Sequence, residues 1–158
     1  MTHSDTFSDS DLHWMQQAMD LAKLAEEKGE VPVGAVLVRD GLVLGKGWNS
    51  NIERNDPSAH AEIMAMRNAG LVAQNYRLPG STLYVTLEPC SMCAGAMIHA
   101  RLERLVFGAT DPKTGAAGGC FDILRDARHN HQVRVEGACM QKECSDILRE
   151  FFRAKRNT

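Results

Sequence analysis

Three potential zinc ligands lie in two short motifs of the 158-residue chain. One is His60, which begins a His-x-Glu motif, and the others are Cys90 and Cys93 of a Pro-Cys-x-x-Cys motif. Zinc in proteins favours thiolate and imidazole ligands, and a catalytic zinc site keeps three protein ligands and leaves the fourth tetrahedral position to water. Because neither motif supplies a fourth Cys or His, the pattern indicates a catalytic site rather than a closed structural one.

Both motifs are predicted to lie at the starts of helices. Cys90 and Cys93, three residues apart in a first turn, project from one face and can bind one ion. The free N–H groups and the partial positive charge of that helix start favour the thiolate forms. His60 is expected in the first turn of its own helix, so two helix starts would converge on the metal.

Glu62 is the predicted proton carrier. Residues two apart on a regular helix point about 200° apart, so His60 and Glu62 can both face an ion only at a helix start. Zinc can lower the pKa of bound water to about 7. Glu62 can accept the proton of that water and pass it to the substrate.

Two other interpretations of the cysteine pair stay open at this point. A Cys-x-x-Cys pair in an α/β protein can be a redox pair of the thioredoxin kind. The two thiols can also belong to a structural zinc site or bind no metal. A redox pair needs no distant His-x-Glu, and a structural zinc needs a fourth ligand, so the combined pattern favours catalysis.

The elements that must position these motifs alternate along the chain. Apolar spacing predicts a first helix capped by Ser8 or Ser10 and ending at Gly29. Asp40-Gly41 between two apolar runs predicts a β-hairpin of strands 33–38 and 42–44. Further predicted elements are a helix from Asp56-Pro57 to Gly70, a strand over 82–86, a helix from Pro89 to about Ala100, strands over 104–107 and 132–135, and a closing helix over 143–155. We therefore expect one α/β domain, 1–158, built as a three-layer α/β/α sandwich around a five-stranded mixed sheet, with residues 1–10 disordered.

Composition limits the classes of function. A net charge of −2 argues against a general nucleic-acid coat protein, which binds through many phosphate contacts. A local basic patch remains in the tail, formed by Arg149, Arg153, Lys155 and Arg156. No segment approaches the roughly 20 apolar residues of a transmembrane helix, and the polar start lacks the organisation of a signal peptide. Five cysteines fit reduced thiols better than a disulfide framework, so we expect a cytoplasmic protein without a membrane partner.

The order H-x-E followed by P-C-x-x-C resembles the zinc nucleobase deaminases of the cytidine/deoxycytidylate deaminase superfamily. The chain is similar to the bacterial tRNA adenosine deaminase family over nearly its whole length from Leu12 onward. The segments that carry this resemblance include DPSAHAEIMA (56–65), TLYVTLEPC (82–90), MCAGAMIH (92–99), DPKTGAAG (111–118) and FFR (151–153).

The resemblance implies a cytidine deaminase-like fold and hydrolysis of adenosine to inosine at the wobble position of a tRNA anticodon loop. It implies a homodimer with one Zn²⁺ per subunit, held by His60, Cys90 and Cys93, and Glu62 as the catalytic proton shuttle. The implied substrate contacts are Asn49, the backbone N–H of Ala61, Val33, Asp111, Ile52 and Leu87. The implied RNA contacts, which include the helix 143–158, are Phe152, Arg153, Lys113 and Lys155.

Structural interpretations stand beside these roles. Val33, Leu87 and Phe152 can be core residues, Asp111 can cap a turn, and the basic tail can be a solvated helix face. Three further cysteines match no functional position of the family and are expected to be structural thiols: Cys120, Cys139 and Cys144. Rival functions are deamination of a free base or nucleoside on the same fold, and a zinc module without catalysis.

Overall fold

A computed structural model describes residues 7–157 of the chain. The elements in chain order are α1 (Asp9–Glu27), β1 (Gly34–Arg39), β2 (Leu42–Trp48), α2 (Asn51–Arg54), α3 (Ala61–Ala73), β3 (Thr82–Leu87), α4 (Ser91–His99), β4 (Arg104–Ala109), β5 (Arg134–Glu136) and α5 (Gln141–Arg156). The five strands form one sheet in the order β2-β1-β3-β4-β5. β1 pairs antiparallel with β2 and β3, whereas β3, β4 and β5 run parallel. The predicted mixed sheet of five strands is confirmed.

Each face of the sheet packs against its own pair of helices. On one face, Leu83 and Val85 of β3 join a core with residues of α3 and α4. On the other face, Tyr84 of the same strand joins a core with residues of α1 and α5. This alternation follows from the two-residue period of a strand, and it confirms the three-layer arrangement. Among residues 7–157, no helix is long and apolar enough to cross a lipid bilayer.

The start of α1 corrects the expected disorder of residues 1–10. Ser8 is the N-cap, as predicted, and it forms a capping box in which its side chain accepts the Asp11 N–H and Asp11 accepts the Ser8 N–H. Phe7 is buried against the α1 face of the sheet. The expectation is therefore wrong for residues 7–10, and residues 1–6 lie outside the described part of the chain.

The helix predicted from Asp56-Pro57 begins five residues later, at Ala61. The Asp56 carboxylate accepts the Ser58 N–H at 2.8 Å and the Ser58 hydroxyl at 2.7 Å, so this segment forms a turn instead of a first helical turn. A short helix that was not predicted, α2, precedes that turn. α3 runs past Gly70 to Ala73, β5 covers 134–136 instead of 132–135, and α5 begins two residues before the predicted start.

Two glycines bring α3 directly onto the sheet. A Cβ added to Gly45 or Gly47 of β2 would collide with the α3 backbone, at the carbonyls of Ala65 and Ala61 respectively. The absence of side chains there lets the helix approach the strand closely. This packing places the first residues of α3 beside the segment that follows β2.

Candidate active site

Two helix starts hold the three potential metal ligands. His60 is the N-cap of α3 and Cys90 the N-cap of α4, both with extended backbone, and Cys93 lies in the first turn of α4. Neither N-cap side chain accepts a hydrogen bond from its own helix, so imidazole and thiolate remain directed at each other. The predicted convergence of two helix starts is observed, with His60 just before the helix and not inside its first turn.

The donor atoms are spaced as one zinc ion requires. His60 Nδ1 lies 3.5 Å from Cys90 Sγ and 3.6 Å from Cys93 Sγ. Tetrahedral coordination with Zn–N of about 2.0–2.1 Å and Zn–S of about 2.3 Å places a nitrogen and a sulfur ligand about 3.6 Å apart. The three donor atoms all lie within 4.8 Å of one another, and the described residues contain no second group of three with this spacing. The residues therefore fit zinc by type, number and distance.

The two thiols of the pair differ in their affinity for a proton. Hydrogen bonding from Cys93, supported by His60, lowers the pKa of Cys90 to about 4. The reciprocal hydrogen bond to Cys90, together with burial, raises the pKa of Cys93. The hydrogen bond to Cys90 also raises the pKa of His60. Of the two thiols, Cys90 is therefore the one with the lower pKa.

Glu62 is a buried carboxyl group beside these ligands. Burial raises its pKa to about 7, partly opposed by the nearby charge of His60. Within residues 7–157, no Lys or Arg forms a salt bridge with Glu62. A carboxyl group that changes protonation near neutral pH suits general acid–base chemistry.

A pocket of about 230 Å³ opens onto the ligands. This volume is smaller than the roughly 300–1,000 Å³ of pockets for drug-sized ligands, and it suits a single base. The lining combines the metal site with polar and apolar walls: Val31, Val33, Asn49, Asn51, His60, Glu62, Leu87, Glu88, Cys90, Asp111 and Thr114.

Four of the predicted substrate contacts line this pocket: Val33, Asn49, Leu87 and Asp111. Val33 is also part of the main apolar core, so the pocket and packing interpretations both apply to it. The structure does not bring Ile52 into the pocket: it belongs to α2 and its side chain is 66% exposed. Its backbone N–H is held instead by the buried carboxylate of Glu30, at 3.1 Å.

The backbone N–H of Ala61 already has a hydrogen-bond acceptor within the chain, and its recognition of the base stays a prediction. It donates to Asn49 Oδ1 at 2.8 Å, and both residues are buried. The first N–H groups of a helix lack intrahelical partners. Since His60 does not cap α3, the side chain of Asn49 satisfies this donor.

Asp111 serves as a turn cap and as a pocket residue. Its carboxylate accepts the N–H groups of Lys113 and Thr114 at 3.0 and 3.2 Å and the Thr114 hydroxyl at 2.8 Å. These bonds fix the side chain at the pocket wall. Lys113 is exposed on the same turn and does not line the pocket.

Sequence reasoning missed four lining residues: Val31, Asn51, Glu88 and Thr114. The signal available for Glu88 was its position directly before Pro89-Cys90. The signal for Thr114 was its place three residues after Asp111, which is typical of a capped turn.

The predicted RNA contacts of the tail lie on exposed turns of α5, away from the pocket lining. Phe152 is 45% exposed and Arg153 and Lys155 are exposed, while the ammonium group of Lys155 lies 5.8 Å from the Phe151 ring centre. Basic residues in a last turn also complement the helix dipole. RNA binding by this helix stays a prediction.

The remaining cysteines divide into two kinds. Cys139 and Cys144 are buried in the core under α1 and α5, as expected of structural thiols. Cys120 is exposed, so the expectation is wrong for this residue, which lies in the irregular connection between β4 and β5 where no element covers it.

Comparisons with known proteins relate the chain to deaminases. The MafB19-like deaminase model matches residues 9–156. A tRNA-specific adenosine deaminase of Haemophilus influenzae is 53% identical over 150 residues, which cover 94% of this chain and 87% of the relative. A solved structure from a study of A-to-I editing by tRNA:A34 deaminases at the wobble position of transfer RNA is 44% identical, with a TM-score of 0.83 over 86% of this chain and 99% of that chain. A guanine deaminase of Nitrosomonas europaea, 22% identical with a TM-score of 0.77 over 89% of this chain and 83% of that chain, shares the fold.

Proposed function

Since this chain belongs to the tRNA-specific adenosine deaminase family, we propose that it hydrolyses adenosine to inosine at the wobble position of a tRNA anticodon loop. The observation that carries the proposal is a base-sized pocket in which buried Glu62 lies beside a three-ligand set for zinc. The reaction consumes water and releases ammonia: a C6–O bond forms and the C6–N6 bond breaks.

The residues of the pocket divide the chemistry between them. His60, Cys90 and Cys93 would hold one zinc ion per subunit, which when bound acts as a Lewis acid and lowers the pKa of water to near neutrality. Glu62 takes a first proton from the attacking water and donates it to the adenine ring nitrogen N1. It then takes the remaining proton of that oxygen and delivers it to the departing amine, so that C6 ends as a carbonyl. Val33 and Leu87 exclude solvent from the base, and Asn49 and Asp111 supply polar contacts to the nucleoside.

A base in a loop is the substrate that the pocket suits. A base paired in a stem is inaccessible to a pocket of this size, whereas a loop base can be splayed out of its stack. Around the opening, Asp111 would contact the ribose, and Lys113 would contact phosphate. Phe152, Arg153 and Lys155 of α5 would bind the loop by stacking and by neutralising phosphates.

We propose that the protein works as a homodimer. A groove of about 950 Å³ lies between α3 and α4, and the exposed side chains of Leu71 and Tyr76 line it. Large exposed apolar patches mark interaction surfaces, and the family resemblance names a second copy as the occupant. Leu71→Glu is expected to yield monomers in equilibrium sedimentation, whereas Leu42→Glu, at a similarly exposed position on the hairpin, is expected to leave dimers intact. A fully active wild-type monomer would contradict the dimer.

The proposed location is the cytoplasm, where tRNA is the available substrate. All five cysteines are free thiols, which suits a reducing compartment. Detection of the protein in a compartment without tRNA would contradict this location.

The substrate class can be tested in one panel of incubations. An anticodon stem-loop with adenosine at the wobble position is compared with the same stem-loop carrying adenosine in its paired stem, and with free adenosine, cytidine and guanine. Inosine is expected at the wobble position alone. Ammonia released from a free base, with the stem-loop unchanged, would replace the proposal with a free-base deaminase.

A further inference from the structure

The buried carboxylate of Glu88 holds both ends of the loop formed by residues 111–119, here called the rim loop. Glu88 Oε1 accepts the N–H of Asp111 at 2.9 Å, and Oε2 accepts the N–H groups of Ala117 and Gly119 at 2.9 and 2.8 Å. Glu88 is 2% exposed, and within residues 7–157 it forms no salt bridge. The hydrogen bonds that its carboxylate accepts therefore all come from backbone amides of one loop.

Glycines let the rim loop wrap closely around this carboxylate. A Cβ added to Gly115 or to Gly119 would collide with the carboxylate of Glu88 and with the carbonyl of Asp111. The loop backbone thus approaches Glu88 at a distance that only glycine permits.

Glu88 also belongs to the corner that carries a metal ligand. It ends the run from β3 and is followed by Pro89 and Cys90, and its own N–H donates to the Ala109 carbonyl at 2.8 Å. In return, the Ala116 N–H donates to the Pro89 carbonyl at 2.8 Å. One residue therefore connects the metal corner to the loop that presents Asp111 and Thr114 to the pocket.

We propose that Glu88 is a positioning residue for substrate binding, which fixes Asp111 at the pocket relative to the metal corner. The inference rests on the proposed function, because Asp111 is the group taken to contact the nucleoside. Asp111 is held at both its ends: Glu88 binds its N–H, and the turn at Lys113 and Thr114 binds its carboxylate. Because both its backbone and its side chain are held, Asp111 keeps the same position at the pocket before RNA binds.

The three hydrogen bonds from the rim loop to the Glu88 carboxylate, here called the Glu88 clamp, can be weakened selectively by Glu88→Gln. A carboxylate has two acceptor oxygens, whereas an amide has one oxygen and one NH₂ donor. In Glu88→Gln, the oxygen is expected to turn towards the two donors Ala117 and Gly119, which leaves the Asp111 N–H facing an NH₂ group. The variant therefore releases Asp111 while it keeps the far end of the loop.

The test measures kcat and KM on the anticodon stem-loop, with zinc content and amide hydrogen exchange. For Glu88→Gln we expect one zinc per chain, kcat within about twofold of wild type, and KM raised about tenfold, a factor typical of losing one hydrogen bond to a charged group. Exchange should accelerate at Asp111 more than at Ala117 and Gly119. In a cycle with Asp111→Ala, the double variant should have the KM of the more affected single variant.

Two further variants keep the test decisive. Gly119→Ala pushes the rim loop away without changing Glu88 and should also raise KM with zinc retained, so it carries the test if Glu88→Gln fails to fold. Asp126→Asn is the matched control, because Asp126 also accepts a backbone N–H in the β4–β5 connection but does not line the pocket. It should leave KM unchanged.

An unchanged KM in both Glu88→Gln and Gly119→Ala would overturn the inference. So would loss of zinc and kcat at constant KM, or multiplicative effects in the cycle with Asp111→Ala. A wild-type protein that deaminates no stem-loop would instead remove the proposed function and the role in substrate binding with it. Hydrogen exchange at the amides of Asp111, Ala117 and Gly119 in Glu88→Gln would still show whether Glu88 holds the rim loop.

Discussion

Two clusters of buried charged residues lie on opposite faces of the sheet, and they differ in how their charges are paired. Under α1, the Asp11 carboxylate receives both Nη atoms of Arg104 at 2.8 and 2.9 Å and the Tyr84 hydroxyl at 2.7 Å. Arg104 also donates to the Glu136 carboxylate through Nε and Nη2, and to the Tyr84 hydroxyl through Nη1. Under α3 and α4, Glu62 has no cationic Lys or Arg partner among the described residues, and three potential metal ligands lie beside it.

Both clusters shift pKa values, in opposite directions for their acids. The hydrogen bonds from Arg104 hold the pKa of Asp11 well below its usual range, whereas burial raises the pKa of Glu62 to about 7. The paired cluster stabilises the fold, and the cluster at the pocket keeps a group ready for proton transfer at a cost in stability. In this protein, therefore, the acid whose pKa is raised by burial lies at the pocket, and the acid whose pKa is lowered by an ion pair belongs to the cluster under α1.

The largest effect is expected from loss of a metal ligand. Cys93→Ala removes one of three donors, so bound zinc should fall to near zero and inosine formation should become undetectable. Metal analysis and a stem-loop assay measure both. The control is Cys139→Ala, which removes a buried thiol from the opposite face and should retain bound zinc and turnover. A Cys93→Ala protein that retained both would contradict the role of Cys93 as a zinc ligand.

Glu62→Gln should leave zinc at one per chain and lower kcat by about 10²–10⁴-fold, the usual contribution of general acid–base catalysis. Its thermal midpoint at pH 7 should equal or exceed that of wild type, because a neutral amide carries no cost of burying a carboxylate. The exposed Glu27→Gln serves as control and should change neither quantity. Near-normal turnover in Glu62→Gln would refute its role.

A smaller effect is expected from the tail. Replacing Arg153 and Lys155 together by Ala should weaken stem-loop binding and leave kcat at saturating RNA unchanged. The slope of log K against log salt should shrink by about 1.4 if each contacts one phosphate of a single strand. Lys142→Ala, at the other end of α5, is the control. An unchanged slope would assign the tail to a solvated helix face.

The smallest effect on turnover, and a large one on stability, is expected from Asp11→Ala. Removing one partner of a buried pair should lower the free energy of unfolding by about 3 kcal/mol at pH 7, with kcat unchanged below the melting transition. Because the folded pKa of Asp11 is depressed, its stabilisation is present above the unfolded pKa of about 3.9 and is lost as pH falls below it. Denaturant unfolding of wild type and variant should show a constant gap in the free energy of unfolding from pH 7 to about pH 5. The gap should begin to narrow below about pH 4 and continue to narrow as pH falls towards the folded pKa.

The control for this variant is Asp146→Ala, which breaks exposed ion pairs on α5 and should leave the midpoint nearly unchanged. A loss of kcat in folded Asp11→Ala would show that the paired cluster also takes part in catalysis. That result would contradict the division into a structural cluster under α1 and a catalytic cluster at the pocket.

The sequence was sufficient to predict the cluster of potential metal ligands, because residue type and short spacing within each motif point to it. His60, Cys90 and Cys93 each lie at a helix start, and the number of donors alone distinguishes an open zinc site from a closed one. The alternation of apolar runs was likewise sufficient for the sheet and its covering helices. The helix starts and the strand alternation depend on neighbours a few residues away, whereas the meeting of His60 with Cys90, 30 residues apart, was inferred from the combination of the two motifs.

Features that depend on distant partners were missed. The carboxylate of Glu30 holds the first turn of α2 from 22 residues away, and this turn carries Ile52 to the surface. Asn49 occupies the N–H of Ala61 from 12 residues away. Glu88 binds amides 23 to 31 residues downstream. No local sequence pattern predicts these side-chain-to-backbone hydrogen bonds, since any buried carboxylate or amide oxygen can accept the N–H groups of a distant loop.

A metal titration tests the dependence of deamination on the His60–Cys90–Cys93 site most directly. Protein stripped of metal with a chelator is titrated with zinc, and inosine formed in the anticodon stem-loop is measured beside bound zinc. Activity is expected to be absent without metal and to rise linearly to a plateau at one zinc per chain. Full activity in the stripped protein, or none at one zinc per chain in correctly folded protein, would contradict a zinc-dependent tRNA adenosine deaminase.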